Sequence, residues 1–380
     1  MKIVFLLSHI PDPRINKRIS VAKKICDVEV VCVRRASQDI WEPHHKDVLH
    51  DIIDIDLPVA KSIFKRFVAS LKYIKIAFRL LKKKSPAIIF TEGLDSLGIA
   101  VKYKRKYSSC IIIYEVADLR ESFIEPPKQI FSLVIGTIIK KQEKCLFRYV
   151  NNLIVTSEKF YKTHYYKLIH KDKTIYMPNV PDSEPFRKYC KKTKGVFTVG
   201  FIGGIRYLKQ MKMLVDASAE TGCNVIFAGA GGTRQEYNEI LSYCEGKDHV
   251  KFFGKYDYTR DISRLYSSID CVYAVYDANN PNVRIALPNK LYESILCKLP
   301  IIVAKNTYLA ELIEEWGVGI AVDHNAKSEL QRILDQLKND EKFYSRLVNN
   351  CESKKYIIDP EKFNKTLLNI LKGYIQEENI

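Results

Sequence analysis

The stretch 286-ALPNKLYESILCKLPIIVA-304 joins an amphipathic helix pattern to a continuous apolar run. Leu291 and Ile295 follow helical spacing, and Pro288 suits the first turn of a helix, where its missing N–H is not needed. The run 301–305 is short and β-branched, which is typical of a strand buried on both faces of a parallel sheet. The stretch therefore predicts a helix that leads into a buried strand of an α/β domain.

The same alternation of short apolar runs and longer helical patterns extends outward along the chain. Strands are predicted at 2–8, 28–35, 52–58, 87–93, 110–118, 152–157 and 174–180, then at 197–204, 224–232, 250–256, 271–277, 301–305 and 319–323. Such alternation favours parallel sheets with helices on both faces. The predicted fold class is α/β, with two doubly wound, Rossmann-like domains that face a central cleft.

The domain boundaries follow from a break in this alternation. The segment 181–195 is polar, contains two prolines and lacks periodicity, so it is interpreted as a linker. It separates a first domain over 1–180 from a second domain over 196–358. We expect a C-terminal helix over 359–380, after a break at Asp359 and Pro360, that returns to the first domain.

Composition excludes several classes of protein. The 380 residues are 47% hydrophobic and 28% charged, which is a globular composition. The longest apolar run, 130–139, is too short for a membrane span, and the N-terminus reads as a strand and not as a signal peptide. The ten cysteines form no CxxC pair and no Cys/His cluster, so we expect free thiols in a reducing cytosol, no metal and no cofactor.

The net charge of +17 suggests an anionic membrane, an anionic small molecule or nucleic acid as partner. Segment 61–84 predicts a basic amphipathic helix, which suits a membrane surface but equally an ordinary domain helix with a solvated basic face. Its apolar side would carry Ile63, Phe64, Phe67, Leu71, Ile74, Phe78 and Leu81, and its basic side Lys61, Lys65, Arg66, Lys72, Lys75, Arg79, Lys82, Lys83 and Lys84. We expect no nucleic acid, because most Tyr and Phe residues fall on predicted core faces.

Glycines end two predicted strands of the second domain. Gly203 and Gly204 follow one strand, and Gly229 follows the next. Glycine lets a backbone approach a phosphate closely, and Arg206 and Lys209 supply positive charge directly after the first pair. Because ligands bind parallel sheets at the carboxyl ends of strands, this edge is the predicted binding site.

The helix of the opening stretch adds an acid to this edge. Asn289 and Glu293 are four residues apart and share a face with Lys290, which we expect to project from the core, while the helix start attracts anions. A nucleotide-diphosphate sugar matches both features: its phosphates need cations, and its ribose hydroxyls can bond a carboxylate. From spacing alone, a solvated helix face is an equally good interpretation.

The second half resembles the donor-binding domain of retaining glycosyltransferases of family 4, which have the GT-B fold. The resemblance covers most of the chain and includes FIGGIRYLK, VIFAGAGG, VKFFGKY, LYSSIDCVYAVY and LPNKLYESILCKLPIIVA, with LIVTSEKF, YMPNV and DPRINKR in the first half. It implies that Glu293 binds the ribose and that Arg206 and Lys209 neutralise the diphosphate. The first Glu of the family's motif falls on Ile285, as in a capsule or polysaccharide-assembly branch.

The resemblance implies a hexosyltransferase that retains the anomeric configuration. A lipid-linked or polysaccharide acceptor at the inner face of the membrane is a hypothesis that would explain the positive charge, the basic helix and the cytosolic cysteines together. The family's first-domain His falls near Ala117, with Glu115, Asp118 and Arg120 beside it. Asp118 is a candidate for positioning the acceptor or the sugar, or else a helix cap. Arg14 is a candidate phosphate contact or a surface residue. A nucleotide-sugar epimerase of the same fold is the alternative enzyme.

Overall fold

The structure is a computed structural model that describes residues 1–35, 42–55, 63–126, 129–191, 195–230 and 232–378, with the backbone alone at 35, 63–67, 377 and 378. The chain divides into two compact units, one formed by Met1–Pro178 with Glu361–Ile380 and the other by Asn179–Pro360. Each unit has its own parallel sheet and its own apolar core. The predicted pair of Rossmann-like α/β domains is therefore confirmed.

The first unit is built on seven strands. Its elements are β1 (Lys2–Leu6), α1 (Pro13–Ala22), β2 (Asp27–Arg35), β3 (Leu49–Ile55), α2 (Ile63–Lys84), β4 (Ile88–Glu92), α3 (Leu94–Lys104), β5 (Ile111–Val116), α4 (Glu121–Ile124), α5 (Ile130–Phe147), β6 (Asn152–Val155), α6 (Glu158–Thr163) and β7 (Thr174–Tyr176). The sheet order is β3-β2-β1-β4-β5-β6-β7. The order reverses between β1 and β4, which opens a crevice at the carboxyl ends of these strands.

The second unit is built on six strands. Its elements are β8 (Thr198–Ile202), α7 (Leu208–Thr221), β9 (Asn224–Ala228), α8 (Arg234–Tyr243), β10 (Val250–Gly254), α9 (Tyr258–Ser267), β11 (Cys271–Ala274), α10 (Asn289–Leu296), β12 (Ile301–Ala304), α11 (Tyr308–Trp316), β13 (Gly319–Val322), α12 (Lys327–Asn339) and α13 (Glu341–Lys354). The sheet order is β10-β9-β8-β11-β12-β13, and it reverses between β8 and β11. The elements α7 and α10, which follow these two strands, therefore begin at the second crevice.

The opening stretch folds as its pattern predicts, with one shift at its start. The strand β12 is fully buried and pairs with β11 on one side and β13 on the other. Pro288 is the N-cap of α10, one position before the helix, and has an extended backbone with φ −79° and ψ 153°. The expectation that it occupies the first turn is wrong by one residue; a missing N–H is equally harmless at either position.

The C-terminal helix and the predicted linker each pack on one unit. The last helix, α14 (Pro360–Glu378), places Leu367 and Leu371 in the core of the first unit. In the predicted linker 181–195, Phe186 is buried and the Pro185 carbonyl accepts a 2.7 Å hydrogen bond from Ser263 of α9. This part of the linker therefore packs on the second unit.

The face of α2 differs from the prediction made for segment 61–84. Tyr73 and Leu81 are buried, and the Tyr73 hydroxyl bonds the Leu7 carbonyl, whereas Leu71 is exposed. Lys84, expected on the basic side, is buried against Glu29. The prediction is wrong at Leu71 and Lys84, because hydrogen bonds and an ion pair with the rest of the unit decide which face turns inward. Ile63, Phe64, Lys65, Arg66 and Phe67 lie outside the described side chains, and Lys61 lies outside the described residues.

The ten cysteines are free, and Cys32, Cys110, Cys223, Cys271 and Cys297 are buried as predicted. Burial raises the pKa of the Cys110 thiol to about 12, so this thiol is unreactive at neutral pH. Among the described helices, none combines the length and the apolar character that crossing a bilayer needs.

Candidate functional site

Glycines bring two strand ends of the second unit into close contact. Gly203 and Gly229 have φ values of +140° and +143°, a region that side chains rarely adopt. A Cβ at Gly229 would lie 1.9 Å from the Gly203 carbonyl oxygen. The Gly203 N–H donates to Ala228 at 2.8 Å, which holds the ends of β8 and β9 together. The predicted glycines thus meet at the crevice, with Gly204 exposed beside them.

Lys290 places a buried ammonium group at this edge. The residue is only 8% exposed. Its Nζ lies 4.3 Å from the centroid of the Phe201 ring, donates to the Tyr276 hydroxyl at 3.0 Å, and would lie 2.8 Å from a Cβ at Gly203. No carboxylate in the described part of the chain pairs with it. Because a buried charge without a counter-ion is costly, this position is suited to an anionic ligand.

Arg206 lies beside Gly204 and Gly232, but Lys209 is not among the neighbours of these glycines. A Cβ at Gly232 would meet the Arg206 Cγ at 3.0 Å, and one at Gly204 would meet its Nε at 3.7 Å. Both cations are exposed, and neither has a carboxylate partner among the residues that the structure describes. The structure therefore brings Lys290 to Gly203 and Arg206 to Gly204, the next residue. For Lys209, on the first turn of α7, it gives no contact with the other predicted residues.

Helix starts add partial positive charge here. Pro288 caps α10 without a side-chain hydrogen bond, and α7 begins after Tyr207, which likewise provides none. The first-turn N–H groups of a helix lack intrahelical partners, and the helix dipole is positive at this end. Asn289, the first residue of α10, is exposed beside them.

Glu293 is buried one turn further along α10, with 4% of its surface exposed. The Tyr258 hydroxyl donates to its Oε1 at 2.8 Å, and the Tyr266 hydroxyl to its Oε2 at 2.6 Å. The expectation that Glu293 and Lys290 project away from the core is wrong. Tyrosine hydroxyls bond the Glu293 carboxylate, and aromatic side chains cover Lys290 without supplying a counter-ion. A carboxylate offers about four lone-pair positions, so two hydroxyls leave capacity for further donors.

The tyrosines around Glu293 are held in their protonated, donating form. Burial raises the pKa of Tyr258 and of Tyr266, and the negative charge of Glu293 raises each of them further. The same two causes raise the pKa of Tyr256. Sequence reasoning missed this cluster, although the tyrosines that follow the strand VKFFGKY were visible as a run without an assigned role.

The loop between β11 and α10 contains Ile285, where the resemblance would place a second carboxylate. Ile285 is half-buried, and its N–H donates to Asn282 at 3.1 Å. At the start of the loop, Asp277 pairs with His324 at 3.3 Å. No group of three or more His, Cys, Asp or Glu residues in the described ranges is arranged to hold a metal ion.

In the first unit, two buried arginines lie against two acids. Arg14 is 2.7 Å from Glu92 and 2.7 Å from Glu115, and Arg18 donates to both oxygens of Glu115 at 3.3 Å. Burial opposes ionisation of Glu92, but the charge of Arg14 and a hydrogen bond from His9 outweigh it and lower its pKa to about 2. Arg14 is thus buried and paired with acids, so its interpretation as a surface residue is wrong. Its contact with a substrate phosphate stays a prediction.

A cavity of about 160 Å³ lies at the carboxyl ends of β4 and β5. Asp118 and Arg120, both exposed, contribute to its walls. The remaining lining residues are Ser8, Glu92, Gly93, Leu94, Tyr114, Glu115, Val116, Ala117, Phe123, Glu143 and Tyr165. Convergent carboxylates and aromatic rings in one small cavity suit a ligand with several hydroxyl groups.

Glu143 reaches this cavity from α5 and is 1% exposed. The His164 Nε2 lies 2.6 Å from its Oε2, and the Tyr165 hydroxyl donates to its Oε1 at 3.3 Å. The His164 ring stacks on Phe123, with centroids 4.6 Å apart. Sequence analysis missed the Glu143–His164 pair, because no spacing rule connects a helix residue to a turn beyond the next strand.

Solved structures of glycosyltransferases resemble the whole chain. The crystal structure of Anabaena Alr3699/HepE in complex with UDP-glucose has a TM-score of 0.70 at 17% identity, covering 98% of this chain and 100% of that one. Sucrose-phosphate synthase from Thermosynechococcus elongatus has a TM-score of 0.75 at 14% identity, covering 99% and 100%. WaaG, a glycosyltransferase involved in lipopolysaccharide biosynthesis, has a TM-score of 0.70 at 13% identity, covering 98% and 100%. This likeness establishes a fold of the GT-B type.

No curated protein sequence matches the chain. A family model does: glycosyl transferases group 1 matches residues 157–354, more than half of the 380 residues. The matched range includes the glycine edge, Arg206, Lys290 and Glu293. The glycosyltransferase resemblance is confirmed at this level, while family 4 and its capsule branch remain predictions. The chain belongs to the glycosyl transferases group 1 family.

Proposed function

We propose that this glycosyltransferase moves a hexose from a nucleoside-diphosphate sugar to an acceptor hydroxyl. One observation carries the proposal: Lys290 is a buried ammonium group without a carboxylate partner in the described part of the chain, and it lies at Gly203. Arg206 lies beside Gly204, the next residue. A diphosphate supplies the negative charge that this arrangement lacks.

In the proposed reaction, the bond between the anomeric carbon and the diphosphate oxygen breaks, and its electron pair stays on the diphosphate. The acceptor oxygen bonds to the anomeric carbon on the same face, and its proton passes to a departing phosphate oxygen, so the configuration is retained. Lys290, Arg206, Lys209 and the amides of Gly203 and Gly204 stabilise the growing charge. A preorganised donor of this kind contributes roughly 10²–10³ in rate.

The rest of the donor is held by α10 and the strand ends. Glu293 accepts hydrogen bonds from the two ribose hydroxyls. It does so through the lone pairs that are not used by Tyr258 and Tyr266. Gly229 has no side chain, so the diphosphate can approach the end of β9 closely. Pro288 and Asn289 form the start of α10, whose free N–H groups bind the diphosphate. We propose UDP as the nucleotide, because the HepE structures contain UDP and UDP-glucose. The charge is balanced by side chains and amides, so no metal or cofactor is proposed.

The acceptor site is assigned to the cavity of the first unit. Its hydroxyl-binding candidates are Glu143, with His164 behind it, and Asp118. Asp118 would position the acceptor or the transferred sugar. The acceptor is a lipid-linked or polysaccharide intermediate of surface glycan synthesis, such as capsule, and the enzyme is cytoplasmic and peripheral on the inner face of the membrane. The net charge of +17 supports an anionic surface as partner.

Donor binding is tested first by thermal shift with UDP-, GDP- and CMP-sugars. We expect UDP-sugars to raise the melting temperature of the wild type, and Glu293→Ala to lose the shift. Lys305→Ala is the matched control, because Lys305 also follows a strand of this sheet but is already paired with Glu329 at 2.5 Å. That variant should keep the shift.

Turnover is then measured with the best donor, with and without a hydroxyl acceptor. Release of nucleoside diphosphate with formation of a glycoside supports transfer. Conversion of the donor alone into an epimer would instead assign the protein to the nucleotide-sugar epimerases. If no nucleotide sugar shifts the melting temperature or releases heat in calorimetry, the proposed function is wrong.

A further inference from the structure

The first half of α5 exposes an apolar surface. Six large side chains form what we call the α5 patch: Ile130, Phe131, Leu133, Val134, Ile135 and Ile138, exposed by 81%, 67%, 42%, 53%, 39% and 59%. Single exposed apolar residues are ordinary, but a contiguous group on one helix is not. The buried residues of α5 are Gly136, Glu143 and Phe147. The helix therefore packs on its own unit mainly through its second half.

Exposed basic residues lie on α5 and on two other helices of the first unit. On α5 itself, Lys141 and Lys144 are exposed directly after Ile138. The neighbouring α3 contacts both α2 and α5, and its exposed Lys102 lies 4.9 Å from the centroid of Phe78 on α2. The exposed face of α2 carries Lys72, Lys75, Arg79, Lys82 and Lys83. The apolar surface is thus followed along its own helix by exposed cations, and the same unit carries further exposed cations on α2 and α3.

We propose that the α5 patch inserts into the interface of an anionic lipid bilayer, while Lys141 and Lys144 of the same helix contact its head groups. Apolar area supplies insertion, and positive charge supplies attraction to anionic lipid. The patch extends from Ile130 to Ile138, which is about 12 Å of helix and suits an interfacial position. Sequence reasoning placed the membrane contact on α2, whereas the proposed contact lies on α5.

The charges select a bilayer over a second copy of this chain. In an isologous contact through the α5 patch with the two helices parallel, Lys141 and Lys144 would lie near those of the other copy, and like charges repel. With the helices antiparallel, these lysines would lie toward the start of the other copy's α5, where the first turn has no acid and the helix dipole is positive. A bilayer with anionic head groups instead compensates them. Glu143 of the same helix lines the cavity of the first unit, about 8 Å along the axis from Ile138. If the proposed acceptor site is correct, the helix that meets the membrane also forms a wall of that site.

Co-sedimentation of the full chain with phosphatidylcholine vesicles, with or without phosphatidylglycerol, tests the proposal. We expect binding that depends on phosphatidylglycerol. The triple variant Ile130→Ser, Val134→Ser, Ile138→Ser should lose about tenfold or more in partitioning. Lys141→Glu with Lys144→Glu should lose a similar factor on anionic vesicles only. The matched control is Leu49→Ser with Val196→Ser, two side chains 59% and 50% exposed outside the patch, which should bind like the wild type.

A second measurement locates the inserted residues. In Val134→Trp, tryptophan emission should shift to shorter wavelength when anionic vesicles are added, because the ring leaves water. Wild-type binding by the triple variant, or no vesicle binding by the wild type, would overturn the inference. So would a triple variant that changes only the oligomeric state in sedimentation velocity. Donor thermal shifts in vesicle-free buffer separate the proposals: a shift without vesicle binding defeats this inference alone, and vesicle binding without any donor shift defeats the proposed function alone.

Discussion

Replacing Lys290 by methionine separates ligand binding from folding. Methionine keeps most of the aliphatic length that packs beside Phe201 and Tyr276 but removes the ammonium group. If that group binds the diphosphate, the loss of one charge-assisted hydrogen bond, about 1.5–3 kcal/mol, weakens donor binding by roughly 10–150-fold. The folded protein loses one 3.0 Å hydrogen bond to Tyr276, about 1 kcal/mol, and is relieved of a buried charge that has no carboxylate partner among the described residues.

Lys290→Met should therefore weaken donor binding strongly but change the stability of the fold little, or increase it. The free energy of unfolding should stay within about 1 kcal/mol of the wild type or rise, while the dissociation constant for UDP increases by one to two orders of magnitude. Urea unfolding and isothermal titration calorimetry measure the two quantities on the same preparation. A variant that loses about 2 kcal/mol or more of stability and binds UDP as tightly as the wild type would refute the assignment and make Lys290 a structural residue.

Three further predictions follow from the same geometry. Glu293→Gln should abolish an approximately tenfold preference of the wild type for UDP over 2′-deoxy-UDP in calorimetry; equal preference in both proteins would remove the ribose role. Gly229→Ala should cost about 2–4 kcal/mol of unfolding free energy, because its Cβ would lie 1.9 Å from the Gly203 carbonyl oxygen, whereas Gly373→Ala, with nothing within 4 Å, should not destabilise; equal urea midpoints would contradict this. Ionised Glu92 should stabilise the folded protein by about 3 kcal/mol, because folding lowers its pKa from 4.5 to about 2. This stabilisation is complete at a pH above 4.5 and is lost as the pH falls through about 2. Glu92→Gln should flatten that part of the urea-unfolding profile, and an unchanged profile would show that the cluster does not stabilise the fold.

The sequence was sufficient for the fold class because parallel strands covered on both faces must be apolar throughout. The run 301–305 shows this directly, since β12 is buried on both sides between two neighbours. Helix faces were less predictable. In α2 the apolar period places Leu71 inward, yet Leu71 is exposed, whereas Tyr73 and Lys84 are buried because partners on other elements bond them.

The candidate site was predictable where backbone geometry alone defines it. Gly203 and Gly229 follow strands, and parallel strands end at one edge, so their proximity follows from the topology. The pairing of side chains does not follow from local pattern. Glu293 meets tyrosine hydroxyls that lie 35 and 27 residues away in the chain, and the Glu143–His164 pair spans 21 residues.

By itself, the sequence determined two doubly wound sheets, glycines at two strand ends, and the cations and acid that follow them, because hydrophobic period and glycine placement report local backbone requirements. The tertiary structure alone decided which charges are compensated: Arg14 is paired with acids, Glu293 is held by hydroxyls, and the Lys290 ammonium meets no carboxylate among the described residues. It also decided that the first half of α5 exposes a group of large apolar side chains. The physical reason is that Coulomb energy and burial depend on distances through space, which the order of residues along the chain does not contain.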